Sequence, residues 1–352
     1  MLQNPSVKTY SDLAWMRNSE CYEIITVFVT YPPFRTIEIL QLLLSFTSLF
    51  SMAYVEFKYV LPFTFHRNMK IILSITYLMG ITHALISSSM QVVQVAMTSA
   101  KPPCESFAPK WFYETVHMTL TTFTVGMVIM LFMLMCERTI ATLLSKKYEV
   151  TGVTVGIFLS ALGIASSITI ILTTYRSSDF NELNPSVLFI PSTAVHRTTR
   201  MFLIQVIICC VCVLGMIVLI VMNIRKCTRK GMMLTSRYQI RENIATTKIA
   251  TYLVGFQTIL FLSYTVFGSI VYSYRKRIFG DNLKAFTAAR QALYLMPLFT
   301  FSLPIFTIIL IRRYRSHRSE QIRSIVSLRS TGNEGSRNYG EIMLKIWEKS
   351  SK

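Results

Sequence analysis

Charge is what this chain has least of. Only 15% of its 352 residues are Asp, Glu, Lys or Arg, against about 25% in an ordinary soluble domain. Acids are the scarcer half, 17 against 36 bases. Cysteines are few, and most of the seven lie in or beside apolar runs (Cys136, Cys209, Cys210, Cys212, Cys227). That placement excludes a disulfide framework, and the spacings match no metal site. Nucleophile elbow, HExxH, phosphate loop and paired membrane aspartates are all missing, so the sequence supports neither an enzyme nor a cofactor. No Asn-x-Ser/Thr acceptor with a permitted middle residue occurs. The residues through Glu20 lack an apolar core of secretory-signal length, so the first crossing is expected to direct insertion itself. An internal repeat is also missing, which argues against a transporter built from duplicated halves.

What is present is hydrophobicity. Apolar residues make up 52% of the chain and mean hydropathy is +0.46. Seven long apolar segments stand out, near 37–60, 69–98, 111–136, 151–174, 201–223, 249–273 and 288–311, each close to the roughly 20 residues that span a bilayer as a helix. The expected fold class is therefore an all-α membrane protein, a seven-transmembrane helix bundle. Residues 1–36 form a polar N-terminal segment, and 312–352 a basic tail expected to be flexible. The net charge of +19 would by itself suggest nucleic acid, but the placement of the basic residues argues against it. They cluster between and after apolar runs, as at an anionic lipid surface, and no basic face with interleaved aromatics occurs. With the N-terminus extracellular and the C-terminus cytoplasmic, 17 Lys and Arg fall near the inner face and 13 near the outer. That is the expected bias, with a modest margin, because Arg275-Lys276-Arg277 lies on the outer side.

Four groups of residues carry candidate chemistry. Glu137-Arg138 ends the longest apolar run of the third segment. An acid beside a base there is either a latch between two helix arrangements or a pair of interface charges reaching toward headgroups. Ahead of the sixth segment, a helical reading of Leu234 to Asn243 puts Arg237 and Arg241 on one face, with Glu242 one turn beyond Tyr238. Together with Asn243 they make a docking surface for a cytoplasmic partner, or simple positive-inside anchoring. His83, Gln91, Gln94, His117, Thr121 and Gln257 are polar groups inside spans. Such groups must face the bundle interior, where they either line a small-molecule pocket or bond between helices. Cys21 and Cys104 precede crossings on the outer side, as a bridge or as two free thiols.

Several short motifs recur together in order. They are Pro33-Phe34-Arg35-Thr36-Ile37-Glu38, Phe65-His66-Arg67-Asn68, Cys136-Glu137-Arg138-Thr139-Ile140-Ala141-Thr142 with Tyr148-Glu149, and Leu234 to Asn243. In this order the chain resembles the nematode serpentine chemoreceptors, the epsilon class (Sre) most and the alpha/beta class (Srab) second. The resemblance implies a G-protein-coupled-type receptor of the plasma membrane, in a sensory neuron cilium. It would bind a small chemical from outside and signal to a heterotrimeric G protein inside. It also puts Glu137-Arg138 where rhodopsin-like receptors carry an acid–Arg pair. The second segment lacks an aspartate, and Ser302-Leu303-Pro304-Ile305-Phe306 stands where those receptors have Asn-Pro-x-x-Tyr, so their switch chemistry does not transfer whole. The rival is a seven-span ligand-gated channel or transporter, which in the insect odorant type has its N-terminus inside.

Overall fold

The computed structural model describes residues 31–352 except 64, 101–106, 145–147, 149–151, 182–183, 185, 229–233, 281, 327–332 and 351–352. Cys21 and Cys104 therefore lie outside the described residues. Among those described, the regular structure is helical throughout, with no strand. In chain order the α-helices are α1 Pro32–Val55, α2 Arg67–Ala100, α3 Lys110–Leu143, α4 Thr154–Thr174, α5 Val195–Cys227, α6 Leu234–Ser273, α7 Arg275–Phe279, α8 Leu283–Ala292, α9 Met296–Val326 and α10 Asn333–Ser350. Seven helical stretches are long and apolar enough to cross a membrane, and each overlaps one of the seven expected segments. Lipid offers no hydrogen-bonding partner, so a spanning backbone must satisfy itself within the helix.

The hub is α3, which packs against α2, α4, α5 and α6. Every residue from Thr124 to Leu131 is buried, so the most apolar part of α3 has no lipid face. The apolar run of α5 behaves differently: Leu203, Ile207, Val211, Leu214 and Val218 are exposed along one stripe, the face turned to hydrocarbon. Helix α4 buries its small residues, with Gly156, Ser160, Gly163 and Ser167 on one side at three- and four-residue spacing. A Cβ at Gly156 would stand 2.8 Å from the Asn68 Cα. Close backbone approach of this kind is how small residues hold helices together in lipid.

The expected seventh segment, 288–311, is interrupted. Helix α8 stops at Ala292, and α9 begins only at Met296. Pro297 supplies the reason: its ring clashes with the carbonyl four residues back and bars its predecessor from a helix interior. Pro297 therefore sits in the first turn of α9, and only Pro304 lies inside the helix. The freed carbonyls are recovered by a neighbour, since Gln41 Nε2 on α1 donates to the Gln291 carbonyl at 2.7 Å and to the Tyr294 carbonyl at 3.2 Å. Gln291 returns a bond to Gln41 Oε1 at 2.7 Å.

Residues up to Phe306 form one compact unit and Thr307–Lys352 a second. The second unit holds the rest of α9 and α10, and it contains residues 312–352, the stretch expected as a basic tail. Helix α10 exposes Tyr339, Leu344 and Trp347.

Candidate functional site

At the end of the bundle where α3 begins, the described residues of the α4–α5 connector, 175–181, 184 and 186–194, lie against the helices. Their hold on α3 is built from ring and hydroxyl groups. Tyr113 donates its hydroxyl to the Phe189 carbonyl at 2.7 Å and receives the Asn184 amide at 2.9 Å. His117 Nδ1 lies 2.9 Å from the Val187 carbonyl. A carbonyl only accepts, so Nδ1 carries the proton and Nε2 accepts from the Tyr175 hydroxyl at 3.2 Å. Burial pushes the Tyr175 phenol up to about 12, so it remains a donor. Asp179 is the electrostatic anchor of this loop. It accepts from the Arg176 N–H at 2.8 Å and the Thr193 hydroxyl at 2.8 Å, and it pairs with Arg197. Burial alone would raise its carboxyl, but these donors together hold it below the ordinary aspartate range.

Beneath the loop lies a cavity with about 60 Å³ of space for the centres of water-sized molecules. His117, Thr121 and Thr124 line it from α3, Phe202 from α5, Phe261 and Tyr264 from α6, and Tyr294 and Phe299 from the α8–α9 break and α9. Beside it is a wider chamber of about 300 Å³. The two share Leu188, Ile190, Phe202, Tyr264 and Tyr294 as common walls. Both are predominantly apolar with a few directed polar groups, the usual make-up of a small-molecule pocket.

The opposite end of α3 is charged and closed. Arg138 clasps Glu137 in bidentate fashion, through Nε and Nη2, each at 2.5 Å. Both side chains are at most 1% exposed. The remaining guanidinium arm, Nη1, donates to the Thr246 hydroxyl of α6 at 2.9 Å. On the other side Tyr148, in the connector after α3, donates to Glu137 Oε1. Burial and the Glu137 carboxylate raise the Tyr148 phenol, so it keeps its proton. Asn68 at the foot of α2 donates to the Tyr148 oxygen at 3.0 Å and accepts the Gly156 N–H of α4 at 3.1 Å. Helix α5 joins one turn further on: Asn223 donates to the Thr142 hydroxyl at 3.0 Å and Lys226 to its carbonyl at 2.7 Å. One ion pair thus connects α3 to α6, α2 and α4. A buried pair is held chiefly by satisfying all its donors and acceptors, because its desolvation offsets most of the Coulomb gain.

The family described as serpentine type 7TM GPCR chemoreceptor Sra matches residues 16–347. The chain belongs to that family. Among similar Caenorhabditis elegans proteins, serpentine receptor class beta-17 is 25% identical over 90% of this chain and 88% of its own length. Class beta-5 is 28% identical over 90% and 93%, and class beta-15 is 26% identical over 94% and 98%. The protein is thus a multi-pass membrane chain of a chemoreceptor family, not of an enzyme family. The relatives are class beta receptors, and the epsilon and alpha/beta classes are not confirmed.

The serpentine bundle gathers some of the expected site residues and not others. His117 and Thr121 line the inner cavity. His83 stands behind it, with Nε2 2.7 Å from the Tyr294 hydroxyl. Gln91, Gln94 and Gln257 are not among the lining residues. Of the expected coupling residues, Glu137 and Arg138 make the network, whereas Arg241 is exposed and Glu242 and Asn243 are half-buried. Thr246, one turn past Glu242, makes the contact instead. The side chains of Arg237 and Tyr238 lie outside the described residues. Tyr264 and Tyr294 were missed because aromatic residues in an apolar run give no signal of which way they face, and Tyr175 because it opens a polar loop. Asn68 and Tyr148 were legible only as parts of motifs.

Proposed function

We propose that this serpentine receptor binds a small chemical in the aromatic cavity, with that end facing outside and the N-terminus extracellular. It passes the event along α3 to a heterotrimeric G protein at the Glu137–Arg138 end, in the plasma membrane of a sensory cilium. The observation that carries the reading is the double engagement of one helix. His117 and Thr121 lie in the cavity, and Glu137 and Arg138 in the network, about 30 Å apart along α3 at 1.5 Å per residue.

The network fits a switch because its hold on α6 is slight. The contact between Arg138 and α6 in this network is the bond to Thr246, and a bond of that kind contributes about 1.5–3 kcal/mol. That is the size of gap a ligand closes by preferring one arrangement, and no larger differential affinity is required. The N-terminal part of α6 is basic (Arg237, Arg241, Lys248), and α6 is 40 residues, about 60 Å long, against a hydrocarbon core of roughly 30 Å. Its first turns therefore project beyond the bilayer as a docking surface.

The test is topology joined to signalling. An N-terminal epitope tag should stain on unpermeabilised cells, and a broad odorant panel should drive a second messenger only when a G protein is present. A cytoplasmic tag with ligand-evoked current in the absence of G protein would replace this reading with the channel.

A further inference from the structure

The bases on the loop side of the seventh crossing, Arg275-Lys276-Arg277 with Lys284 and Arg290, run against the charge bias expected of an outer face. Arg290 gives them a use. It lines the wider chamber, its guanidinium 4.5 Å from the centre of the Phe189 ring, 5.8 Å from Phe286 and 5.9 Å from Tyr272. Its polar contact is one long hydrogen bond, 3.5 Å, to the Ile190 carbonyl. Arg35, Arg138 and Arg197 each hold a carboxylate. Among the described residues, no carboxylate pairs with Arg290. Its neighbour Arg275 is similar, stacked 4.5 Å over the same Phe286 ring.

We infer that Arg290 is the anion-binding residue of this chamber, and that the receptor takes small organic carboxylates with an apolar tail. The inference rests on the cavity being the ligand site. A guanidinium offers five N–H donors in a planar fork that fits a carboxylate with two parallel bonds. Aromatic faces stabilise the cation but accept none of those hydrogen bonds strongly. The acid head sits at Arg290, and the tail passes the shared wall of Phe202, Tyr264 and Tyr294 into the inner cavity, whose size limits it to a slender chain. Arg275 adds positive potential that draws anions to the mouth.

The experiment uses the full-length receptor, both in cells with a second-messenger readout and purified for direct binding. The probes are straight-chain acids from hexanoate to dodecanoate with the primary alcohols and amines of the same lengths. The acids should bind about tenfold or more tighter than the matched alcohols, the gain of a charge-assisted bidentate pair. Arg290→Gln should erase that preference and leave alcohol binding within about twofold of wild type, while Arg290→Lys should keep part of it. The acid–alcohol comparison in wild type needs no variant to fold. Equal binding of acids and alcohols, a preference for amines, or Arg290→Gln binding acids like wild type would each overturn the inference while leaving the cavity in place. No binding by any of the three series would overturn both.

Discussion

The two ends of α3 solve opposite problems. Around His117 the helix meets rings, a loop and open volume, and each polar atom in contact with the loop is used to hold it in place. Around Arg138 both charges are sealed, and the bonds run between helices rather than to a loop. A receptor needs one end that admits molecules of varied shape and another that occupies one of a few defined arrangements. Apolar walls tolerate variety because dispersion contacts are non-directional, whereas a buried ion pair accepts almost none. The difference teaches where each mutation should be felt.

The largest effect belongs to the sealed end. Arg138→Ala strands the Glu137 carboxylate in a buried site, and should cost about 3–5 kcal/mol of stability, seen as loss of surface receptor and a lower melting temperature in detergent. Replacing both charges, with Glu137→Gln and Arg138→Gln together, should restore much of that stability without restoring signalling. If the single variant is as stable as wild type, the pair is not sealed as described. Gly156→Val comes next, because its side chain meets the Asn68 backbone, which cannot move aside. About 1–3 kcal/mol should be lost, with ligand affinity in the distant cavity nearly unchanged. Coupled loss of binding would erase the distinction between the ends.

At the open end the effects are smaller. His117→Leu leaves the Val187 carbonyl without its donor and should cost about 1–3 kcal/mol, read as faster hydrogen exchange across 176–195 and faster ligand release. Acid should loosen the same loop. The Asp179 carboxyl titrates below its ordinary range when folded, so its contribution is complete above that range. It is lost as pH falls through the lowered value. Ligand affinity should fall a few-fold on acidification there, and Asp179→Asn should flatten the profile.

Much of the fold could be read from hydrophobicity alone, because lipid leaves a spanning backbone no alternative to the helix. The seven crossings and the closeness of α4 to its neighbours both follow from residue type. The break at 293–295 did not, although Pro297 signals it, since a proline within a long apolar run is compatible with either a kink or a first turn. The site was legible unevenly. Glu137-Arg138 announced itself as charge at the end of an apolar run, and His117 and Thr121 as polarity inside one. Gln41 looked like any lipid-span glutamine, and only the fold shows it serving the carbonyls of the α8–α9 break. Thr246 gave no signal at all, because a threonine in a helix ordinarily bonds its own backbone, as this one also does to the Glu242 carbonyl.

That threonine offers the most direct test of the claim that the Glu137–Arg138 network holds α6 in a ligand-responsive arrangement. Thr246→Val keeps the shape and removes the hydroxyl that accepts from Arg138 Nη1 and donates to the Glu242 carbonyl of its own helix. The measurement is ligand-independent G-protein activation at matched surface expression. The account predicts a rise of about tenfold, the consequence of leaving a charged donor unpaired in the held state alone. Basal activity equal to wild type, with the receptor at normal levels, would contradict it.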